Sequence, residues 1–271
     1  MVKPEKPKKS STKRRTSKNM KRDYKRRWQV PRMWPEEDVA IIGGGPSFAE
    51  VDRERLKALS IEGKLKVIGI NKAYKEVPDS HEWFDCIFWG DDSFYRVFSR
   101  RAGDGIHSFP GLRVTCANPP QGDTNGVHHL GRAHRQGPGI TSDKKHLISW
   151  NANSGFAAIN LAYHLTGPGG RVFLFGFDMK LRGEEMHWHG GYHEMRKNNR
   201  DRRQKKQPPK MPFRSWLENA KAIKRDANKL GLKLFIVACP DSAIEEFKKI
   251  PFETFVEMVE EKHGQTEQSL S

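Results

Sequence analysis

The chain has 271 residues and a formal net charge of +16, long enough for one substantial core and short for two, so a single main domain is expected. Its three cysteines, Cys86, Cys116 and Cys239, form no CxxC or paired spacing, which argues against a disulfide scaffold or a cysteine zinc site. No stretch reads as a secretory leader or a membrane span, so the expected setting is a reducing cytoplasm.

In chain order, residues 1 to 28 hold thirteen basic and two acidic side chains and little that could be buried. Residues 1–30 are therefore expected to be a disordered basic arm. Such a length of positive charge attracts polyanions, nucleic acid among them, or else serves only as a solubilising tail. The folded domain is expected over 38–256. Asp38-Val-Ala-Ile-Ile42 is the kind of apolar run that forms a strand buried on both faces, and a glycine cluster ends it. Pro46 and Ser47 then open a helical pattern with Phe48, Val51, Leu56 and Leu59 inward. Further strands are expected at 65–70, 84–89, 113–116, 171–176 and 233–238, and helices at 151–165 and 213–230. Residues 117–146 and 183–211 lack periodicity and read as long loops or insertions, and 257–271 as a flexible tail. Strands alternating with helices give an α/β fold, a Rossmann-like three-layer domain with a mostly parallel sheet.

In such a sheet the ligand lies beyond the carboxyl ends of the strands. Those ends carry Gly43, Gly44, Gly45, Pro46 and Ser47 after the first strand, Asn71 after the second, Asp91 and Asp92 after the third, and Asp178 after a later one. Glycines at 43–45 let phosphate oxygens approach backbone N–H groups, with a helix N-terminus behind them; packing alone also selects glycine turns. Phe48 stands where the third glycine of a dinucleotide fingerprint belongs, Asn71 replaces the usual acid, and there is no Walker lysine, so neither a simple NAD enzyme nor a P-loop ATPase fits. Asn153, Ser154 and Gly155 begin a helix with small hydrogen-bonding residues. Asn71 and Ser154 also have plain readings, as a turn residue and a helix cap.

Ile42-Gly-Gly-Gly-Pro-Ser-Phe48, Gly69-Ile-Asn-Lys-Ala-Tyr74, Asn153-Ser-Gly-Phe-Ala-Ala158, Val172-Phe-Leu-Phe-Gly-Phe-Asp178 and Leu234-Phe-Ile-Val-Ala-Cys-Pro240 in combination resemble the bacterial sialyltransferases of glycosyltransferase family 42. They resemble equally the MptE-like 6-hydroxymethylpterin diphosphokinase group, and the likeness spans roughly 38–250. It implies a bacterial or phage protein in which Gly43, Gly45, Pro46 and Ser47 surround the donor phosphate. By the same likeness Asn71 hydrogen-bonds the nucleotide, Ser154 and Gly155 contact ribose or phosphate, and Asp178 sits beside the cleft. The pattern breaks where those sialyltransferases keep a catalytic histidine, for Arg214 falls near that point.

Histidines appear instead in Met186-His-Trp-His-Gly-Gly-Tyr-His193. Transfer from a nucleotide sugar needs a base near the acceptor hydroxyl, and neutral histidine suits that near pH 7, so His187, His189 or His193 is the expected base, with Asp178 nearby. Metal ligation by the three histidines and an ordinary loop are the rival readings. Asp91 and Asp92 would hold Mg2+ on a diphosphate, or else serve as a turn and helix cap. The basic run at 196–210, eight basic and one acidic, is either an exposed insertion or a surface for an acidic acceptor such as nucleic acid. Three functions follow as expectations: a glycosyltransferase with a nucleotide-sugar donor, a diphosphokinase using ATP, or a nucleic-acid-binding protein on a degenerate transferase fold.

Overall fold

The computed structural model describes residues 27–99, 105–118, 126–133, 137–183, 187–188 and 213–270. The expectations for 1–26, for His189 and His193 and for the basic run 196–210 lie outside these residues.

Every apolar run read as a strand is one. The chain runs β1 (Asp38–Ile42), a 3₁₀ turn (Pro46–Glu50), α1 (Arg53–Ile61), β2 (Lys66–Ile70), α2 (Ala73–Glu76), α3 (Ser80–Trp83), β3 (Cys86–Trp89), α4 (Asp92–Phe98) and β4 (Leu112–Thr115). It continues through β5 (His128–His129), β6 (Gly131–Arg132), β7 (Leu147–Ile148), α5 (Ser154–Thr166), β8 (Arg171–Phe175), α6 (Phe213–Leu230), β9 (Lys233–Val237), β10 (Lys248–Ile250) and α7 (Phe252–Leu270). Eight strands form one sheet in the order β10-β9-β8-β1-β2-β3-β4-β5, and each recorded pairing is parallel. The α/β Rossmann-like reading holds.

Two cores lie on the two faces because strand side chains alternate. Val39 and Ile41 join α5 and the Ala220, Ile223 and Ala227 seam of α6 on one side. Ala40 and Ile42 join Leu56 and Leu59 of α1, the Phe94-Tyr95-Phe98 face of α4 and Phe255 of α7 on the other. All thirteen residues of α5 are buried, as expected for a helix apolar on every side that spans the centre of a sheet.

Four expectations need correction. The glycine loop does not lead straight into an α-helix: a 3₁₀ turn intervenes, and α1 starts only at Arg53, where the Asp52 side chain accepts from the Arg55 amide at 3.0 Å. The stretch expected as a flexible tail continues α7 to Leu270, for Phe255 and Val259 are buried and Lys262 Nζ reaches the buried Asp38 carboxylate at 3.2 Å. The region 117–146 is not all loop, since β5 extends the sheet and β6 pairs with β7. The end of the expected arm belongs to the domain: Trp28 stacks on His128 with centroids 4.3 Å apart, and Val30 is fully buried. No helix among the described residues is long and apolar enough to cross a membrane.

Candidate active site

From β1 the chain moves outward through β2 to β5 and then returns to β8 on the other side of β1. This reversal opens a crevice beyond the carboxyl ends of β1 and β8. A cleft of about 270 Å³ lies there. Gly43, Gly44, Gly45, Asn71, Asp91, Asn153, Ser154, Gly155, Asp178 and His187 all line it, so ten of the expected site residues meet from distant parts of the chain. Pro46, Ser47 and Asp92 do not line it.

The glycine loop is packed against its neighbours. Gly43 N–H donates to Phe175 O and Gly45 N–H to Gly176 O, both at 2.8 Å. Ser47 donates to the Asp178 carboxylate from its amide at 3.1 Å and from its hydroxyl at 2.8 Å. Asp178 is 1% exposed, and Arg182 Nε stands 3.0 Å from it as an ion pair. An internal carboxylate thus occupies the donors of Ser47, and backbone carbonyls occupy the amides of Gly43 and Gly45. A Cβ at Gly45 would overlap that carboxylate and come within 2.5 Å of Gly176 O, which is why this position is glycine.

Three amides remain turned to other work. Among the described residues no acceptor meets the N–H groups of Gly44, Ser154 and Gly155. At α5, Asn153 Oδ1 accepts from Phe156 N–H at 3.1 Å and Asn153 O from Ala157 N–H at 3.0 Å, which satisfies the third and fourth amides and leaves the first two open at the positive end of the helix. Asn153 is thus a cap. The Ser154 hydroxyl accepts from Gly90 N–H and donates to Asp91, each at 3.2 Å, tying β3 to α5.

Asn71 holds a left-handed backbone, φ 52°, and its Oδ1 is buried without a hydrogen-bond partner. An orphan acceptor costs stability unless a ligand donor meets it. Positive φ at a non-glycine residue recurs in the cleft wall at Ala152 and Met179.

The two carboxylates after β3 part company. Asp92 accepts from Asn118 N–H and Nδ2, both at 2.9 Å, while Asp91 faces Ser154 in the cleft. Asp91 is open to solvent on its outer side, yet the protein packed around its inner side strips enough water to raise its pKa; Ser154 and Arg132 oppose that shift. Among the described residues no three His, Cys, Asp or Glu side chains gather in a metal-holding group.

His187 and Trp188 cover the glycine loop. The Gly44 carbonyl accepts from Trp188 N–H and faces His187 Nδ1, both at 3.1 Å, and Trp188 Nε1 donates to Gly43 O at 3.0 Å. A carbonyl cannot donate, so Nδ1 carries the proton and Nε2 is the basic nitrogen of the neutral ring.

No family model matches this sequence, and no curated protein matches it. Among solved structures, a MAf glycosyltransferase from Magnetospirillum magneticum AMB-1 aligns over 84% of this chain with a TM-score of 0.53 at 15% identity. The fold is shared with a glycosyltransferase. The alignment covers 36% of that larger chain. A dehydrogenase/reductase from Sinorhizobium meliloti 1021 aligns over 85% of this chain and 88% of its own, at 14% identity and a TM-score of 0.29.

On this glycosyltransferase-like fold the cleft also has walls that the sequence did not disclose: Trp150, Met179, Lys180, Phe213 and Trp216. Trp150 fills the space that a side chain at Gly90 would need, and Arg132 lies 4.4 Å over its ring. Trp216 Nε1 donates to Ala152 O at 2.9 Å. The usable signal was tryptophan in otherwise polar stretches, since a ring with one polar edge suits a cleft lip.

Proposed function

We propose that the protein is a nucleotide-dependent transferase that takes a nucleotide-activated donor, a nucleotide sugar, in the cleft between β1 and β8. The observation that carries this reading is the set of open amides at Gly44, Ser154 and Gly155, which line one cleft with Asn71, whose buried Oδ1 has no hydrogen-bond partner. One acceptor for a ribose or base donor stands beside several donors for a phosphate, which is the polarity of a nucleotide. The anion seat in this reading is the α5 N-terminus with Gly44, while Asp178 holds the loop through Ser47. His187, through Nε2, is the base that takes the proton of the acceptor hydroxyl as its oxygen bonds to the anomeric carbon, and the bond from that carbon to the donor's phosphate oxygen breaks, so that the nucleotide leaves with the electron pair.

The fold shared with the Magnetospirillum glycosyltransferase supports glycosyl transfer. Diphosphate transfer from ATP calls for hard oxygen ligands around Mg2+, and the commitment of Asp92 to Asn118 leaves Asp91 as the one carboxylate of that pair in the cleft.

The test is a thermal-shift screen of nucleoside mono- and diphosphates and nucleotide sugars against the parent and Asn71→Gly. Glycine keeps the positive φ and removes the amide. A nucleotide at a hundred times its Kd adds about 2.7 kcal/mol by mass action, roughly 5–10 °C for a domain of this size. That increment should shrink by more than half in Asn71→Gly while the ligand-free Tm stays within a degree or two. A screen in which no nucleotide raises Tm, or an increment that survives the substitution intact, overturns the reading.

A further inference from the structure

Among the described residues two carboxylates line the cleft, Asp91 and Asp178, and they differ in what holds them. Asp178 is bonded by Ser47 and paired with Arg182, and the cleft cation Lys180 is taken by Asp241 at 2.7 Å. Arg132 sets Nη2 3.5 Å from Asp92 and Nε on Cys116 O at 3.0 Å, and no cation among the described residues comes within ion-pairing distance of Asp91. Asp91 is instead held through Oδ2 by the Ser154 hydroxyl at 3.2 Å. Ser154 also carries one of the open amides. The residue that would hold an anion through its N–H thus holds a carboxylate through its hydroxyl. An anion oxygen on that amide lies within roughly 9 Å of Asp91, about a Debye length or less in dilute salt. Burial of the inner side of Asp91 raises its pKa, so water screens this carboxylate less than one on the open surface.

We propose that Asp91 sorts donor from product by charge: the seat at Gly44, Ser154 and Gly155 admits a phosphate substituted on two oxygens, with one negative charge, and expels the phosphate that carries two once the sugar has gone. This rests on the reading of the cleft as the donor site. In glycosyl transfer the bond from the anomeric carbon to the phosphate oxygen breaks, and the electron pair stays on that oxygen. A phosphate that entered as a monoanion leaves singly substituted, and above about pH 6 it carries a second charge. The open amides attract both forms and the dianion more. A fixed carboxylate opposes that trend, because repulsion grows in proportion to the charge of the ligand. A seat built only to hold phosphate would have a neutral or cationic side chain at position 91. A carboxylate there lowers affinity, most of all for the product, so the charge created by the reaction drives the nucleotide out.

The experiment measures Kd by titration calorimetry near pH 8, in low salt with EDTA. Its probes are the mono- and diphosphates of adenosine, guanosine, cytidine and uridine, each beside the methyl ester of its terminal phosphate, a matched pair that differs by one charge. Asp91→Asn keeps an oxygen for the Ser154 hydroxyl and removes the charge. Relative to the parent, the variant should bind the methyl ester no more than about threefold tighter and the free phosphate about tenfold tighter, since twice the charge doubles the repulsion relieved. Added NaCl should narrow the difference between the two chains. A gain of affinity is read, which a damaged fold cannot imitate. No gain for the free phosphate, or the same gain for both members of the pair, overturns the proposal and leaves the donor reading in place. A parent chain that binds none of the probes overturns the donor reading and this proposal with it.

Discussion

The turn that follows β1 and the turn that opens α5 are built from similar residues, Gly43 to Ser47 and Asn153 to Gly155, and they do opposite work. At the first, the amides of Gly43, Gly45 and Ser47 are all taken by groups of the protein, the last by the Asp178 carboxylate. At the second, the Asn153 cap satisfies later amides and leaves those of Ser154 and Gly155 open to the cleft. Small residues after a strand therefore have two distinct causes. One is room for a ligand; the other is room for the protein's own backbone. Only the partners of each N–H tell the two apart.

The largest expected effect comes from forcing the closed turn open. Gly45→Ala would drive a methyl group into Asp178 and Gly176, neither of which can retreat, because Asp178 is held by Ser47 and Arg182 and Gly176 sits at φ 68° between β8 and the loop. Overpacking of this kind costs about 3 kcal/mol, so Tm should fall by roughly 6–12 °C in a thermal melt. A fall of less than about 2 °C would mean that the loop is soft, and the contrast between the two turns would lose its first half.

Much of this fold could be read directly. The strands announced themselves as apolar runs because both faces of the sheet are covered, and the ends of those runs led to six residues of one cleft, Gly43, Gly44, Gly45, Asn71, Asp91 and Asp178. What could not be read were relations between distant segments. Nothing near Ser47 reveals that Asp178, 131 positions on, will take its amide and hydroxyl donors. Trp150 and Trp216 reach the cleft from stretches that the periodicity left blank or read only as a helix face. The helical end of the chain was missed because its apolar pattern stops soon after Val259, and part of what holds that turn is an ion pair with Asp38, from the opposite end of the sequence.

A smaller effect separates the turns from the other side. Asn153→Ala removes the cap that leaves the first amides of α5 properly aimed, at a cost of about 1 kcal/mol, or some 2–4 °C in Tm. The same substitution should also lower the thermal increment given by a bound nucleotide, since the fraying reaches Ser154 and Gly155. Gly45→Ala, by contrast, should depress the baseline far more than the increment. Loss of increment in the Gly45 variant with none in Asn153→Ala would return the anion seat to the first turn.

The smallest effect concerns pH and the link between the cleft rim and the closed turn. Asp241 bonds Lys180 at 2.7 Å and Arg182 at 2.8 Å, and Arg182 in turn stands beside Asp178. The hydrogen bond from Lys180 is the main reason the Asp241 carboxyl is pulled down to about 2; partial burial opposes the shift and Arg182 adds to it. A carboxylate whose folded pKa lies below its ordinary value stabilises the fold above that ordinary value, about 3.8, and the contribution is lost as pH falls from there toward 2. About half of the Asp241 side chain is exposed, so solvent screening holds the contribution to less than about 1 kcal/mol. Melts between pH 5 and pH 2 should therefore show a shallow decline that is flatter in Asp241→Asn. An equally steep decline in that variant would assign the acid sensitivity to other carboxylates and leave the closed turn resting on Asp178 alone.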